Sequence, residues 1–170
     1  MSGVNRGKQF EAQIERGFES VPGCSVDRLH DQTNGFAGSS NICDYIVYKH
    51  PTEFYIECKS CHGNTLSIYS NDPKKKYGAI SNKQWEGLLE KSQIRGVVAG
   101  YMIWFIDHDI TVFVKSEAMK RLRDAGSKSL HIKDMYIGTL NNDEWCYIDG
   151  KKKRVLFDYD LSSFLERWCD

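Results

Sequence analysis

The stretch Asp44-Tyr-Ile-Val-Tyr-Lys-His-Pro-Thr-Glu-Phe-Tyr-Ile-Glu57-Cys-Lys59 predicts a β-hairpin that brings two acids and a lysine together. Tyr, Ile, Val and Phe dominate both halves, and these residues favour a pleated strand. His50-Pro51-Thr52 separates the halves with residues that suit a turn. A turn centred on the His50–Pro51 bond leaves equal lengths of chain on either side, so Asp44 is predicted to lie opposite Glu57, with Cβ atoms roughly 5 Å apart.

Glu57 and Lys59 are predicted to share one face of the second strand, because side chains alternate between the two faces. Cys58 then points to the opposite side, toward the core. Two like charges directly opposite each other destabilise a sheet. A hard divalent cation bound by the carboxylate oxygens of Asp44 and Glu57 would offset that repulsion.

These side chains suit the hydrolysis of a phosphodiester, which requires an activated water and a cation that neutralises charge on the phosphate. We expect Asp44, Glu57 and the peptide carbonyl of Cys58 to bind Mg²⁺, which Mn²⁺ can replace. Lys59 is expected to be catalytic, by orienting or deprotonating the water or by stabilising the transition state. The alternative is that Asp44 begins a strand and that Glu57 and Lys59 form its solvated face.

The composition indicates one globular domain over residues 1–170, with 41% apolar residues to build a core. No run of about 18 apolar residues and no apolar N-terminal segment occurs, so we expect a cytoplasmic protein that does not associate with membranes. The six cysteines are scattered, which is typical of reduced thiols. Basic and acidic residues number 23 each, so any nucleic-acid face must come from local clusters.

The order of elements predicts a mixed α/β fold. Periodic apolar residues and turn signals predict the following elements: a helix over 6–20, a strand over 24–30, the acid hairpin, an edge strand near 65–69, a helix from Ser81, strands over 97–106 and 110–115, a helix over 116–125, and a tail of short strands with a last helix. Polar loops are expected over 31–41 and 70–78.

Asp44, twelve further residues and Glu57-Cys-Lys59 have the form of the PD-(D/E)xK nuclease motif, with Cys43 in the place of the proline. Three surrounding segments add to this likeness: Asn5-Arg-Gly-Lys-Gln-Phe-Glu11, Asn41-Ile-Cys-Asp-Tyr45 and Ser81-Asn-Lys-Gln84. Together they resemble the RecU-type Holliday junction resolvases, in particular the shorter forms of phages and prophages. The likeness extends over about residues 4–115.

This resemblance implies a restriction-endonuclease-like fold, with a mixed β-sheet core flanked by helices. It also implies magnesium-dependent paired nicking of four-way DNA junctions in recombination and repair by a homodimer in a bacterial cell, with a phage or prophage origin. Asp44 and Glu57 would be metal ligands, Lys59 the catalytic lysine and Gln84 a further active-site group.

The chain departs from the family at two places. Ile42 stands where the family often has a hydroxyl residue, so help from a hydroxyl would have to come from Ser39 or Ser40. The projecting segment that bacterial members insert into the junction is reduced here to about 31–41. Junction selectivity is therefore less directly indicated than nuclease activity.

Two candidate site residues also have structural interpretations. Ser81-x-x-Gln84 matches a capping box, in which each residue accepts a hydrogen bond from the other's backbone, for about 1 kcal/mol. Glu11 is an accessory candidate that would hold metal-bound water, but it also suits the solvated face of the first helix. The sequence leaves both pairs of alternatives open.

Basic residues in two places are candidates for DNA binding. Arg6 and Lys8 lie at the start of the first helix, and Lys74, Lys75 and Lys76 lie in the loop before the Gln84 helix. Residues 71–95 hold six Lys or Arg against three acids. The alternatives are a frayed helix terminus and an ordinary solvated charge run.

Other interpretations of the sequence compete with a resolvase. Cys58-Lys-Ser-Cys61-His62 fits the pattern of covalent haem attachment, and its cysteines and histidine also suit zinc. The simpler interpretation is a buried thiol followed by a loop cysteine. Within the same superfamily, a restriction or repair endonuclease would act on linear duplexes or flaps, and a non-catalytic member would only bind DNA.

Overall fold

The computed structural model describes residues 5–30, 41–68 and 79–169. Its helices and strands follow in this order: α1 Arg6–Glu19, β1 Cys24–Arg28, β2 Tyr45–Lys49, β3 Thr52–Cys61, β4 Thr65–Ser67, α2 Asn82–Ser92, β5 Val97–Phe105, β6 Ile110–Lys115, α3 Ser116–Asp124, β7 Ser129–His131, β8 Trp145–Tyr147, β9 Asp149–Lys152, β10 Phe157–Asp160 and α4 Ser162–Arg167. The predicted loops over 31–41 and 70–78 lie outside the described residues, apart from Asn41.

Six strands form one mixed sheet in the order β1-β2-β3-β5-β6-β8. β3 and β5 are parallel, because α2 carries the chain back across the sheet between them, and the other neighbours are antiparallel. Helices cover both faces, which confirms the predicted mixed α/β core flanked by helices.

The predicted hairpin is present in the predicted register. Tyr45 pairs with Ile56 and Lys49 pairs with Thr52, so the next pair outward is Asp44 and Glu57. The alternating pattern of side chains is confirmed as well, since Ile56 and Cys58 belong to the core beneath α1 while Tyr55 belongs to the core beneath α2.

The two faces of the sheet carry separate apolar cores. α1 buries Phe10, Ile14 and Phe18, the residues whose spacing predicts the helix. α4 and the β9–β10 hairpin complete that core, whereas α2 and α3 cover the other face. The tail of the chain is therefore part of the packing that supports the sheet.

One predicted strand forms but lies elsewhere. Thr65–Ser67 pairs with Ser129–His131 in a two-stranded ribbon, rather than at the edge of the main sheet. β8 occupies the edge beside β6 instead. Among the described residues no helix combines the length and the apolar character that a membrane span needs.

Candidate active site

Backbone hydrogen bonds hold Asp44 at the end of β2. Its N–H donates to the Ile56 carbonyl at 3.1 Å, and its carbonyl accepts from the Leu29 N–H at 2.8 Å. Its carboxylate oxygen Oδ2 accepts from the Cys58 N–H at 2.7 Å. Asp44 is thus attached to both neighbouring strands, with its carboxylate turned toward the strand that carries Glu57.

Glu57 is a buried acid with two different oxygens. Its Oε1 accepts from Lys59 Nζ at 2.8 Å and from Gln84 Nε2 at 2.7 Å. Its Oε2 is buried and has no hydrogen-bond partner in the part of the chain that the structure describes. The residue is only 4% exposed, so the alternative of a solvated strand face is wrong for Glu57.

The electrostatics of this buried acid favour a cation. Burial and, after it, the charge of Asp44 raise the pKa of Glu57 to about 8, against the opposing effect of Lys59. The unpartnered Oε2 and the opposed carboxylate of Asp44 are oxygen donors of the kind that Mg²⁺ binds. No group of three His, Cys, Asp or Glu side chains suited to a metal occurs among the described residues. Two carboxylates with open positions remain consistent with Mg²⁺, which retains several waters.

Gln84 forms the predicted helix cap and also contacts two of the candidate site residues. Its N–H donates to Ser81 Oγ at 3.2 Å, and its Oε1 accepts from the Ser81 N–H at 3.0 Å, so the capping box is present. The same Oε1 accepts from Lys59 Nζ at 3.2 Å, while Nε2 donates to Glu57. The helix cap therefore fixes the amide that contacts both Glu57 and Lys59.

Cys58 presents its thiol and its carbonyl to different surroundings. The thiol is 6% exposed on the α1 side, and burial followed by the charge of Asp44 raises its pKa well above the ordinary range. The N–H and carbonyl of a strand residue lie on the same side of the strand. Because the N–H donates to Asp44, the carbonyl also faces the Asp44 side, where the sequence predicts a backbone metal ligand.

The geometry of Cys58 and Cys61 contradicts a shared haem or zinc site. The two residues lie three apart on β3, so their side chains occupy opposite faces of the sheet. Burial raises the pKa of the Cys61 thiol to about 11, and His62 Nδ1 lies 2.9 Å from Asp107 Oδ1. These side chains cannot converge on one metal without rearranging the strand.

Arg28, which no pattern in the sequence singles out, lies beside Glu11. Arg28 Nη2 is 3.3 Å from the Glu11 carboxylate, and Nη1 is 3.4 Å from Glu15. The Tyr45 hydroxyl donates to the Glu11 carbonyl at 3.0 Å, which attaches α1 to β2. Glu11 is near enough to contribute to the raised pKa of Glu57, but its carboxylate already pairs with Arg28. The signal in the sequence is a single arginine at the end of β1, which pattern analysis does not single out.

The first turn of α1 lies beside the C-terminal end of β3. Asn5 caps the helix by accepting from the Lys8 N–H at 3.2 Å, and Arg6 Nη1 donates to Gln9 at 3.2 Å. A Cβ atom added to Gly7 would lie 3.7 Å from Ser60 Oγ, next to Lys59. Arg6 and Lys8 are therefore in an ordered turn that packs beside Ser60, and not in a frayed terminus. Lys74, Lys75 and Lys76 lie outside the described residues.

Ile42, which stands at the position where a hydroxyl residue is expected from the resemblance, has a packing role. It lies against Gly87 of α2 so closely that a Cβ atom on Gly87 would be 2.4 Å from Ile42 Cγ2. This contact secures the chain two residues before Asp44. Ser39 and Ser40 lie outside the described residues.

Comparison with known proteins finds likeness among solved structures. No protein-family model and no curated protein matches the chain. Among solved structures, it is similar to Hjc, a Holliday junction resolvase from the archaeal hyperthermophile Archaeoglobus fulgidus, with 18% identity and a TM-score of 0.46. The likeness covers 66% of this chain and 78% of that one. What this chain does is therefore inferred from its own side chains.

Proposed function

We propose that this chain is a magnesium-dependent DNA endonuclease of the restriction-endonuclease-like class, in which Mn²⁺ can replace Mg²⁺. The observation that carries the proposal is the convergence on Glu57. Its buried carboxylate lies opposite Asp44 and accepts hydrogen bonds from Lys59 and Gln84, while one oxygen remains without a partner among the described residues. A purely structural role would not favour two acids in this position, because burying unpaired charge is costly.

The side chains of the proposed centre have different roles in the reaction. Asp44, Glu57 and the Cys58 carbonyl would hold Mg²⁺, whose charge would stabilise negative charge that develops on the phosphate. Lys59, held by Glu57 and by Gln84, presents an ammonium group that can donate to a phosphate oxygen or orient the attacking water. Gln84 restrains both partners, so the lysine is positioned before DNA binds.

We further propose a four-way DNA junction as the substrate and a homodimer as the active form. The resemblance of the segments around Asp44, Glu57 and Gln84 to RecU-type resolvases supports this assignment. A junction has two equivalent strands, and a two-fold dimer would supply two equivalent active sites for symmetric nicks. Arg6 and Lys8 in the first turn of α1, and Arg28, which pairs with Tyr45 next to Asp44, are candidates to contact the DNA backbone, together with Lys74, Lys75 and Lys76.

Cleavage assays with junction, duplex and flap DNA in the presence of Mg²⁺ test this function. Asp44→Asn, Glu57→Gln and Lys59→Ala are each expected to lower the cleavage rate by at least about 100-fold, since each removes charge from the centre. Tyr136→Phe, on an exposed surface, is the matched control and should cleave normally.

The pattern of results distinguishes the alternatives. Preferential cleavage of the junction supports a resolvase, while preferential cleavage of duplex or flap DNA supports another endonuclease. Junction binding without any cleavage by the wild-type protein supports a DNA-binding role. Full activity in all three variants would rule out the proposed centre.

A further inference from the structure

Tyr101 lies directly beside the proposed centre on the neighbouring strand. β3 and β5 are parallel, and Glu57 and Tyr101 are partners in their register. Adjacent strands are about 4.8 Å apart, and partners in register present their side chains on the same face. Tyr101 is completely buried in the core beneath α2, on the face where Gln84 contacts Glu57.

The Tyr101 hydroxyl has no hydrogen-bond partner among the described residues, and neither does Glu57 Oε2. Leaving a buried hydroxyl or carboxylate oxygen without a partner costs free energy. Phenylalanine would fill the same space in the apolar core without that cost. A hydroxyl at this position, beside an acid whose Oε2 also has no partner among the described residues, therefore points to a state in which the two groups are connected.

The other oxygen of Glu57 is already occupied. Oε1 accepts from Lys59 and Gln84, which leaves Oε2 as the acceptor available to a further donor. After burial, the charge of Glu57 raises the pKa of Tyr101, so the phenol remains a neutral donor within electrostatic reach of the carboxylate. Carboxylates that bind metals are commonly oriented by such a second hydrogen bond.

We propose that Tyr101 is a positioning residue of the centre, whose phenol donates to Glu57 Oε2, through one bridging water or directly, and orients that carboxylate for a divalent cation. The inference rests on the proposed function, because it assumes that Glu57 is a metal ligand. It adds a residue that neither the hairpin nor the helix cap indicates.

Mn²⁺ binding to the DNA-free protein, measured by calorimetry, tests this role with Tyr101→Phe. We expect about tenfold weaker Mn²⁺ binding. The variant's stability to urea without a cation should match or exceed that of the wild type, because the unpartnered hydroxyl is gone. In cleavage assays, the Mn²⁺ concentration for half-maximal rate should rise while the KM for DNA stays the same.

Tyr159→Phe is the matched control, since the Tyr159 hydroxyl is buried on the other face and lies 2.8 Å from Thr111 Oγ1. It should lower stability and leave Mn²⁺ affinity unchanged. Wild-type affinity in Tyr101→Phe would overturn the inference, as would a clear loss of its stability without a cation. Both results leave the nuclease proposal intact if the wild type binds Mn²⁺ and cleaves DNA. Absence of Mn²⁺ binding by the wild type would overturn the proposed function, and the role of Tyr101 with it.

Discussion

At the scale of single residues, cation binding and burial favour different protonation states of Glu57. Its carboxylate must be charged to bind a cation, yet burial and the neighbouring Asp44 favour its protonated form. Lys59 and Gln84 offset part of that cost at one oxygen, and the other oxygen is left without a partner among the described residues. Such a conflict between stability and charge is common where a protein binds a ligand.

This conflict predicts how stability depends on pH in the absence of divalent cations. The pKa of Glu57 is about 8 in the folded protein, above the value of about 4.3 for an unfolded chain, so the folded state binds the proton more tightly. Stability should therefore fall as the pH rises from about 4 to about 8. Glu57→Gln removes this dependence and should raise the free energy of unfolding by about 1–3 kcal/mol at pH 8, with little gain at pH 4.

Urea unfolding of both proteins in a chelator, at pH values between 4 and 8, measures that difference. Glu53→Gln is the control, because Glu53 lies on the same strand but is only partly buried. A Glu57→Gln effect that does not change with pH would contradict the assigned burial of the charge.

At the scale of elements, the start of α2 links helix capping to the centre. Ser81→Ala removes only the acceptor of the Gln84 N–H and should cost about 1 kcal/mol of stability while most activity remains. Gln84→Ala also removes the contacts with Glu57 and Lys59, so activity should fall at least about tenfold. Parallel measurement of unfolding and DNA cleavage separates these effects. Equal losses of activity in the two variants would indicate that only the cap matters.

The close contact between α2 and the segment before Asp44 gives a second prediction at this scale. Gly87→Ala would normally favour a helix by up to about 1 kcal/mol. Here the added Cβ atom meets Ile42, so α2 and the chain leading to Asp44 must move apart. We expect DNA cleavage to fall while circular dichroism still reports the helix. Glu86→Ala, on the exposed face of the same helix, should keep both helix and activity.

At the scale of the whole molecule, the C-terminal helix α4 packs against α1 and the strands on the same face of the sheet. The ring of Phe164 in α4 lies 4.9 Å from Phe113, 5.4 Å from Phe54 and 6.0 Å from Phe18, measured between ring centroids. A single helix thus packs against two strands and α1. The two cores share one sheet, so damage to either should affect both.

Phe164→Ala tests this coupling and should lower the free energy of unfolding by about 3–5 kcal/mol. Trp85 lies in the core beneath α2 and Trp104 in the core beneath α1, so fluorescence of single-tryptophan variants reports each face separately. We expect both probes and circular dichroism to give one coincident transition. Val155→Ala at an exposed position should change stability by less than about 0.5 kcal/mol. Separate transitions for the two tryptophans would contradict a single domain over 1–170.

The predictions made from the sequence are correct where the interacting residues are close in the chain, and less accurate where they are far apart. The alternation along β3, the periodicity of α1 and the Ser81–Gln84 cap depend on residues close in the chain, and all are present. The pairing of β4 with β7 joins segments more than 60 residues apart, and its position differs from the expected sheet edge. Patterns within a short stretch of sequence do not indicate which distant strand β4 pairs with.

The sequence by itself determined the hairpin register that opposes Asp44 to Glu57, because a short turn leaves little freedom in pairing. Only the tertiary structure decided that Glu57 is buried, that Gln84 both caps a helix and contacts this acid, that Arg28 pairs with Glu11, and that Tyr101 lies beside Glu57. Those relations depend on how α1, α2 and β5 pack against β3. This packing is the arrangement that minimises the free energy of the whole chain, and a local sequence pattern does not contain that information.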